Sequence, residues 1–170
     1  MSELRSGHEE IIEALARKIP GFAGYLDRER RRDADKLQRD TLAKGTVALK
    51  ARIQDIQEEL LNAGDMKAST RLGEVNNRLD RVTERLRHAN YGYAGFFSQN
   101  QVNLEELTAV YEFDLALFNQ LEAAEAALEA LSRAAGSKDN VGSAASDLER
   151  TIKEFDAKLD ERERLLKGVS

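Results

Sequence analysis

The chain has 170 residues, with 31 acids against 26 bases, a net charge of −5 and no cysteine. That excludes disulfides, thiolate catalysis and cysteine-ligated zinc, and it leaves attraction to nucleic acid or anionic lipid to a local patch rather than to bulk charge. The length suffices for one domain with its own core, and 34% charged residues with 6% aromatics and a single proline is the composition of long helices. No apolar run approaches the roughly 20 residues that span a bilayer. Residues 1–10 are polar and acidic and lack the apolar stretch of a signal peptide, so the expectation is a soluble, cytoplasmic protein.

The elements follow from periodicity. Residues 8–19 predict a short amphipathic helix with Ile11, Ile12, Leu15 and Ile19 on one side, ended by Pro20 and Gly21. A long helix is expected over 25–63, with the seam Leu42, Thr46, Leu49, Ile53, Ile56 and Leu60 alternating four and three as in helices packed side by side. Gly45 inside it should weaken the helix by about 1 kcal/mol relative to Ala. Gly64 and Asp65 make a turn, and a third helix over 66–89 carries Leu72, Val75, Leu79, Val82, Leu86 and Ala89 on the same seam. Asn103 with Glu106 reads as a capping box opening a helix over 104–134, whose inward positions include Leu107, Val110, Tyr111, Leu117, Phe118 and Leu121. A Gly- and Ser-rich loop over 136–143 leads to a last helix over 144–167, with Ser146 and Glu149 as its capping box and Leu148, Ile152, Phe155, Leu159 and Leu166 inward. Four long amphipathic helices on short connections predict an all-α fold: an antiparallel up-down four-helix bundle in a single domain, 1–170, with the short N-terminal helix across or along it.

Two stretches nearly repeat each other. Gly21-Phe22-Ala23-Gly24-Tyr25 and Gly92-Tyr93-Ala94-Gly95-Phe96 share the order Gly, aromatic, Ala, Gly, aromatic, and Tyr91 and Phe97 flank the second. Large rings on glycine-flexed segments are costly to leave in water, so each should pack on the fold, on the other, or on a partner. At 1.5 Å per residue, helices of about 38 and about 24 residues differ by about 21 Å. The connection after the shorter one must make up that gap, which brings both motifs to one end of the molecule. The spacing of 71 residues between the motifs also hints at a duplicated hairpin, although the helix sequences barely match.

The segment Asp27 to Lys36 has no large apolar residue. Arg28, Arg32 and Arg39 line one face with Arg31 beside them, a pattern open to three readings: a solvated helix laced with ion pairs, a clamp on carbonyls of the 90–103 connection, or an anion site. Asp114 falls on a seam between Tyr111 and Phe118 and must be paired if buried. Arg28, Arg31, Arg32 and Arg39 are the candidate partners, the pair then fixing register. Arg162 likewise lies on the last seam and needs a carboxylate or a route to water.

Catalytic chemistry is missing from the sequence. His8 and His88 are the two histidines and complete no Glu-x-x-His di-metal pattern; no phosphate-binding loop occurs, and no serine has a histidine at recognisable spacing. No metal, no cofactor and no enzymatic activity are expected. The residues point instead to an interaction or scaffold module presenting Phe22, Tyr25, Tyr91, Tyr93, Phe96 and Phe97, rimmed by Arg28, Arg31 and Arg32, to a protein partner or to another copy of itself. The alternative is a peripheral, envelope-stress-type protein at the inner membrane that inserts the Ile11, Ile12, Leu15, Ile19 and Phe22 face into lipid. Acids interrupt the arginine run and disfavour nucleic acid.

The stretches Ile19-Pro20-Gly21-Phe22-Ala23-Gly24-Tyr25, Asp27 to Lys36, Tyr91-Gly92-Tyr93-Ala94-Gly95-Phe96-Phe97 and Tyr111-Glu112-Phe113-Asp114 resemble a group of bacterial helical-bundle or coiled-coil proteins with no assigned activity. The resemblance spans most of the chain and implies bacterial origin. The layout, a short amphipathic helix before a long helical hairpin, is also similar to that of phage-shock-type membrane-remodelling proteins, in architecture only.

Overall fold

The computed structural model describes residues 2–89, 96–97 and 102–168, and for Arg28 the backbone alone. Tyr91 and Tyr93, with the glycines between and after them, lie outside the described residues. All regular structure among the described residues is helical. It comprises α1 (Ser2–Lys18), two 3-10 turns (Phe22–Tyr25 and Arg28–Arg30), α2 (Arg31–Asn62), α3 (Met66–His88), α4 (Leu104–Ser137) and α5 (Val141–Leu166).

The seams expected from periodicity are the core. Leu42, Leu49, Ile53, Ile56 and Leu60 of α2, Leu72 to Leu86 at the α3 seam positions, and Leu148, Ile152, Phe155 and Leu159 of α5 are all buried. One continuous cluster takes in α1 through Leu15, and the segment that follows it through Ile19 and Phe22. Asp65 caps α3 by accepting from the Ala68 amide at 3.0 Å, and Gly64 supplies the left-handed backbone (φ 83) that the α2–α3 turn requires. The Asn103–Glu106 capping box is present with both of its hydrogen bonds.

Boundaries differ from the sequence expectations in four places. The first helix starts at Ser2 rather than near residue 8. The second starts at Arg31 rather than Tyr25, because Gly21 turns left-handed (φ 83) and Asp27 is extended, which breaks 21–30 into two 3-10 turns. The helix-length difference therefore shrinks: α2 has 32 residues and α3 has 23, about 14 Å at the α-helical rise. The loop expected over 136–143 contracts to a tight turn around Lys138 and Asn140, both left-handed. Asn140 takes the N-cap position of α5, so Ser146 lies inside the helix and no capping box forms there.

The contacts between helices fall into two senses. Between α2 and α3 one number rises as the other falls: Arg39 reaches the Leu86 carbonyl, Thr46 meets Thr83, and Gln57 meets Ser69. Between α4 and α5 the same holds, with Asp114 on Arg162 and Gln120 on the Thr151 carbonyl. Across these two hairpins the numbers rise together. Gly45 lies against Leu121 and Arg52 pairs with Glu129 between α2 and α4. Arg71, Arg78 and Arg85 of α3 meet Glu149, Asp156 and Glu163 of α5. A Cβ built on Gly45 would stand 2.5 Å from Leu121 Cδ2. The glycine serves close approach of α2 to α4, and its weak helix propensity is the cost of that approach.

Candidate functional site

The helix ends that meet where α2 begins carry an interior unlike the rest. Asp35 and Arg39 of α2, Asp114 of α4 and Arg162 of α5 are each at most 7% exposed. Arg162 donates from Nε to Asp114 Oδ1 at 2.5 Å and from Nη2 to Asp35 Oδ1 at 2.5 Å. The other Asp35 oxygen accepts from Arg39 Nε at 2.8 Å, and Arg39 Nη1 donates to the Leu86 carbonyl at 2.8 Å. Leu86 lies in the last turn of α3, where carbonyls lack intrahelical partners and the helix dipole favours a cation. Two carboxylates and two guanidiniums thus form one chain of charge-assisted bonds that touches all four long helices.

Asp114 is paired from another helix as expected, and the partner that bonds it directly is Arg162 of α5, with Arg39 adding a favourable charge nearby. The physical reason is direction. The end of α5 lies beside the start of α4, so the two polar residues found separately on their seams satisfy each other. Asp35 escaped notice because it sits in a charge run without large apolar neighbours. Yet Ala34 and Asp35 are both buried, so the first turns of α2 are not polar all round. Burial pushes the Asp114 carboxyl up to about 6, against the pull of Arg162. Burial also opposes the Arg162 cation, but Asp114 and Asp35 outweigh it and hold Arg162 above the ordinary arginine value.

Phe22 of the first motif and Phe96 of the second pack at neighbouring positions of α4, Tyr111 and Val110. Phe22, 1% exposed, stands edge-on to Tyr111 with ring centroids 5.8 Å apart. It belongs to the core, so it offers no surface to a partner. Burial, then the Asp114 charge, push the Tyr111 hydroxyl up to about 12. Phe96 and Phe97, half-buried and edge-to-face at 5.2 Å, pack against the small cluster of Val110 and Leu166. Tyr25 is half-buried, Arg31 half-buried and Arg32 exposed. The clamp expected on carbonyls of the 90–103 connection falls almost wholly outside the described residues. Arg30 donates to the Gly24 carbonyl of the first motif at 3.2 Å, and Arg39 donates to the Leu86 carbonyl at the end of α3.

Neither amide atom of Gln38, 1% exposed, has a hydrogen-bond partner, and Nε of Arg31 is also buried without one. A second feature unseen in the sequence is the charge ladder between α3 and α5. Arg71, Arg78 and Arg85 are seven residues apart, as are Glu149, Asp156 and Glu163. The repeat is visible in the chain, but it becomes a signal only once those two helices are neighbours.

Among the described residues no group of three or more His, Asp or Glu could hold a metal ion, and no helix is long and apolar enough to cross a membrane. The chain matches no protein-family model, no curated protein and no solved structure.

Proposed function

We propose that the chain is a non-enzymatic interaction module: an antiparallel four-helix bundle of two side-by-side hairpins that offers its arginine and aromatic end to a protein partner. The observation that carries this reading is the buried charge chain Asp35–Arg39–Asp114–Arg162 at that end. Buried ion pairs contribute little net stability, and their best-attested use is to select one register among alternatives. A rigidly registered end that also carries half-buried Tyr25, Phe96 and Phe97 beside Arg31 and Arg32 has the composition of a binding hot spot.

Lipid insertion is less well supported. The face it requires is already used: Leu15, Ile19 and Phe22 are 0–1% exposed and packed in the core. Membrane binding through that face would have to displace α1 from α4.

The test is a Tyr25→Ser/Phe97→Ser double variant compared with the parent by thermal melting and by co-purification from the native host. Association lost while the melting temperature moves by only a few degrees supports the module. Unchanged association, or a collapsed fold, means that these rings are part of the fold rather than a docking surface.

A further inference from the structure

The first residues of α1 are tied to the bundle by one titratable side chain. Ser2 to Ser6, Glu9 and Glu10 are exposed, whereas His8 is half-buried against α4. The Thr108 hydroxyl donates to the Leu104 carbonyl at 2.6 Å and therefore accepts from His8 Nδ1–H at 2.7 Å. That leaves Nε2 as the nitrogen that takes up a proton. The imidazole leans on the Tyr111 ring at 5.7 Å. Phe22 packs on that same Tyr111 ring, so among the described residues the imidazole and the Phe22 ring both cover Tyr111.

We propose that His8 is a proton-operated latch: in its neutral form it holds the start of α1 on Tyr111 and Thr108, and its protonation against the neighbouring Arg31 guanidinium frees Ser2–Glu10 and uncovers Tyr111. Among the described residues, four side chains act on the imidazole. α2 supplies Arg31, α4 supplies Tyr111 and Thr108, and Glu9 lies beside it on α1. Arg31 and burial oppose a cation there, whereas Glu9 and the face of the Tyr111 ring favour one. Burial first, then Arg31, win, and the histidine is held below its ordinary value. The sign follows from linkage. The free segment has an ordinary histidine and takes up its proton near 6.5, while the latched form takes it up only at lower pH. Stability of the latch is therefore fully present above 6.5 and is lost as pH falls through the latched value. Helical turns that bury as little as Ser2–Glu10 open with little free energy, so one histidine suffices to shift their population.

The latch operates without a binding partner. The experiment is a proton-NMR titration of His8 in the full-length protein, paired with hydrogen exchange of the Ser2–Glu10 amides corrected for intrinsic rates, over pH 8 to 5. By the thermodynamic cycle, opening should increase by about tenfold for each unit by which His8 lies below 6.5. Arg31→Gln should raise the His8 value and reduce the increase in step, and His8→Gln should give flat exchange. The proposal is overturned if His8 titrates at or above 6.5, if Arg31→Gln leaves its value unmoved, or if exchange across Ser2–Glu10 does not follow its titration.

Discussion

The two ends of the bundle are built on different principles. Toward the tight turns, the interior is filled by Leu60, Ala68, Leu128, Leu131, Ala135 and Ala145. Toward the start of α2 the apolar residues Phe22, Leu86, Leu107 and Leu166 share the interior with Asp35, Gln38, Arg39, Asp114 and Arg162. Apolar burial is non-directional, so the first end is stabilised by area and would tolerate a shifted neighbour. Charge-assisted bonds need particular atoms at particular distances, so the second end is stable only in one register. The division of labour is stability at the turns and geometry at the end where the aromatic motifs dock.

The largest expected effect breaks the ionic end. Arg162→Ala removes the cation shared by Asp114 and Asp35 and leaves Asp114 without its directly bonded partner and Asp35 with Arg39 alone, at a cost of about 3–5 kcal/mol. Chemical denaturation monitored by circular dichroism reads it. The contrast with the other end is pH. The folded value of Asp114 lies above its unfolded 3.8, at about 6. The folded protein therefore binds more protons than the unfolded chain in that window, and the group's contribution becomes more favourable as pH falls through 6 toward 3.8. Measured against Asp114→Asn, the parent should gain relative stability between pH 7.5 and pH 5. Leu128→Ala at the apolar end should show no such trend against the parent.

Gly45→Ala sharpens the comparison from the middle of the bundle. Helix propensity alone predicts a gain of about 1 kcal/mol, but the added methyl meets Leu121 at 2.5 Å. Overpacking of about 1–3 kcal/mol should reverse the sign, and pairing it with Leu121→Val should recover stability in the same denaturation assay.

The smallest effect tests how far the polar end serves geometry rather than stability. Gln38→Met replaces two unpartnered polar atoms with a side chain of similar length. It should raise stability by about 1 kcal/mol, visible as a higher denaturation midpoint at unchanged slope.

The sequence made the apolar architecture legible and left the polar architecture half-read. Leu72, Val75, Leu79, Val82 and Leu86 announce a helix face because periodicity is a local property of the chain. Asp114 and Arg162 announce themselves as misfits on such faces, but their pairing depends on which helix ends are adjacent, which no local pattern encodes. Asp35 is hidden by its setting, since burial in a run of charges runs against composition, whereas Arg39 is legible as a face-lining arginine but its bond to the end of α3 is not. The start of α2 was misplaced because Asp27 to Arg30 have ordinary helix propensity, and the backbone break is set by Gly21 and Asp27 upstream. The α3–α5 ladder was present as two seven-residue repeats with nothing to join them until those helices lay side by side.

The claim that the buried charges fix register is tested most directly by hydrogen exchange on an Asp114→Leu/Arg162→Leu variant, which keeps the Asp35–Arg39 pair. Global stability should stay within about 1 kcal/mol of the parent or exceed it. Amides of Leu107–Phe118 and Leu159–Leu166 should lose protection, while those around Leu60, Leu128 and Ala145 keep theirs. Parent-like protection throughout both ends would contradict the account.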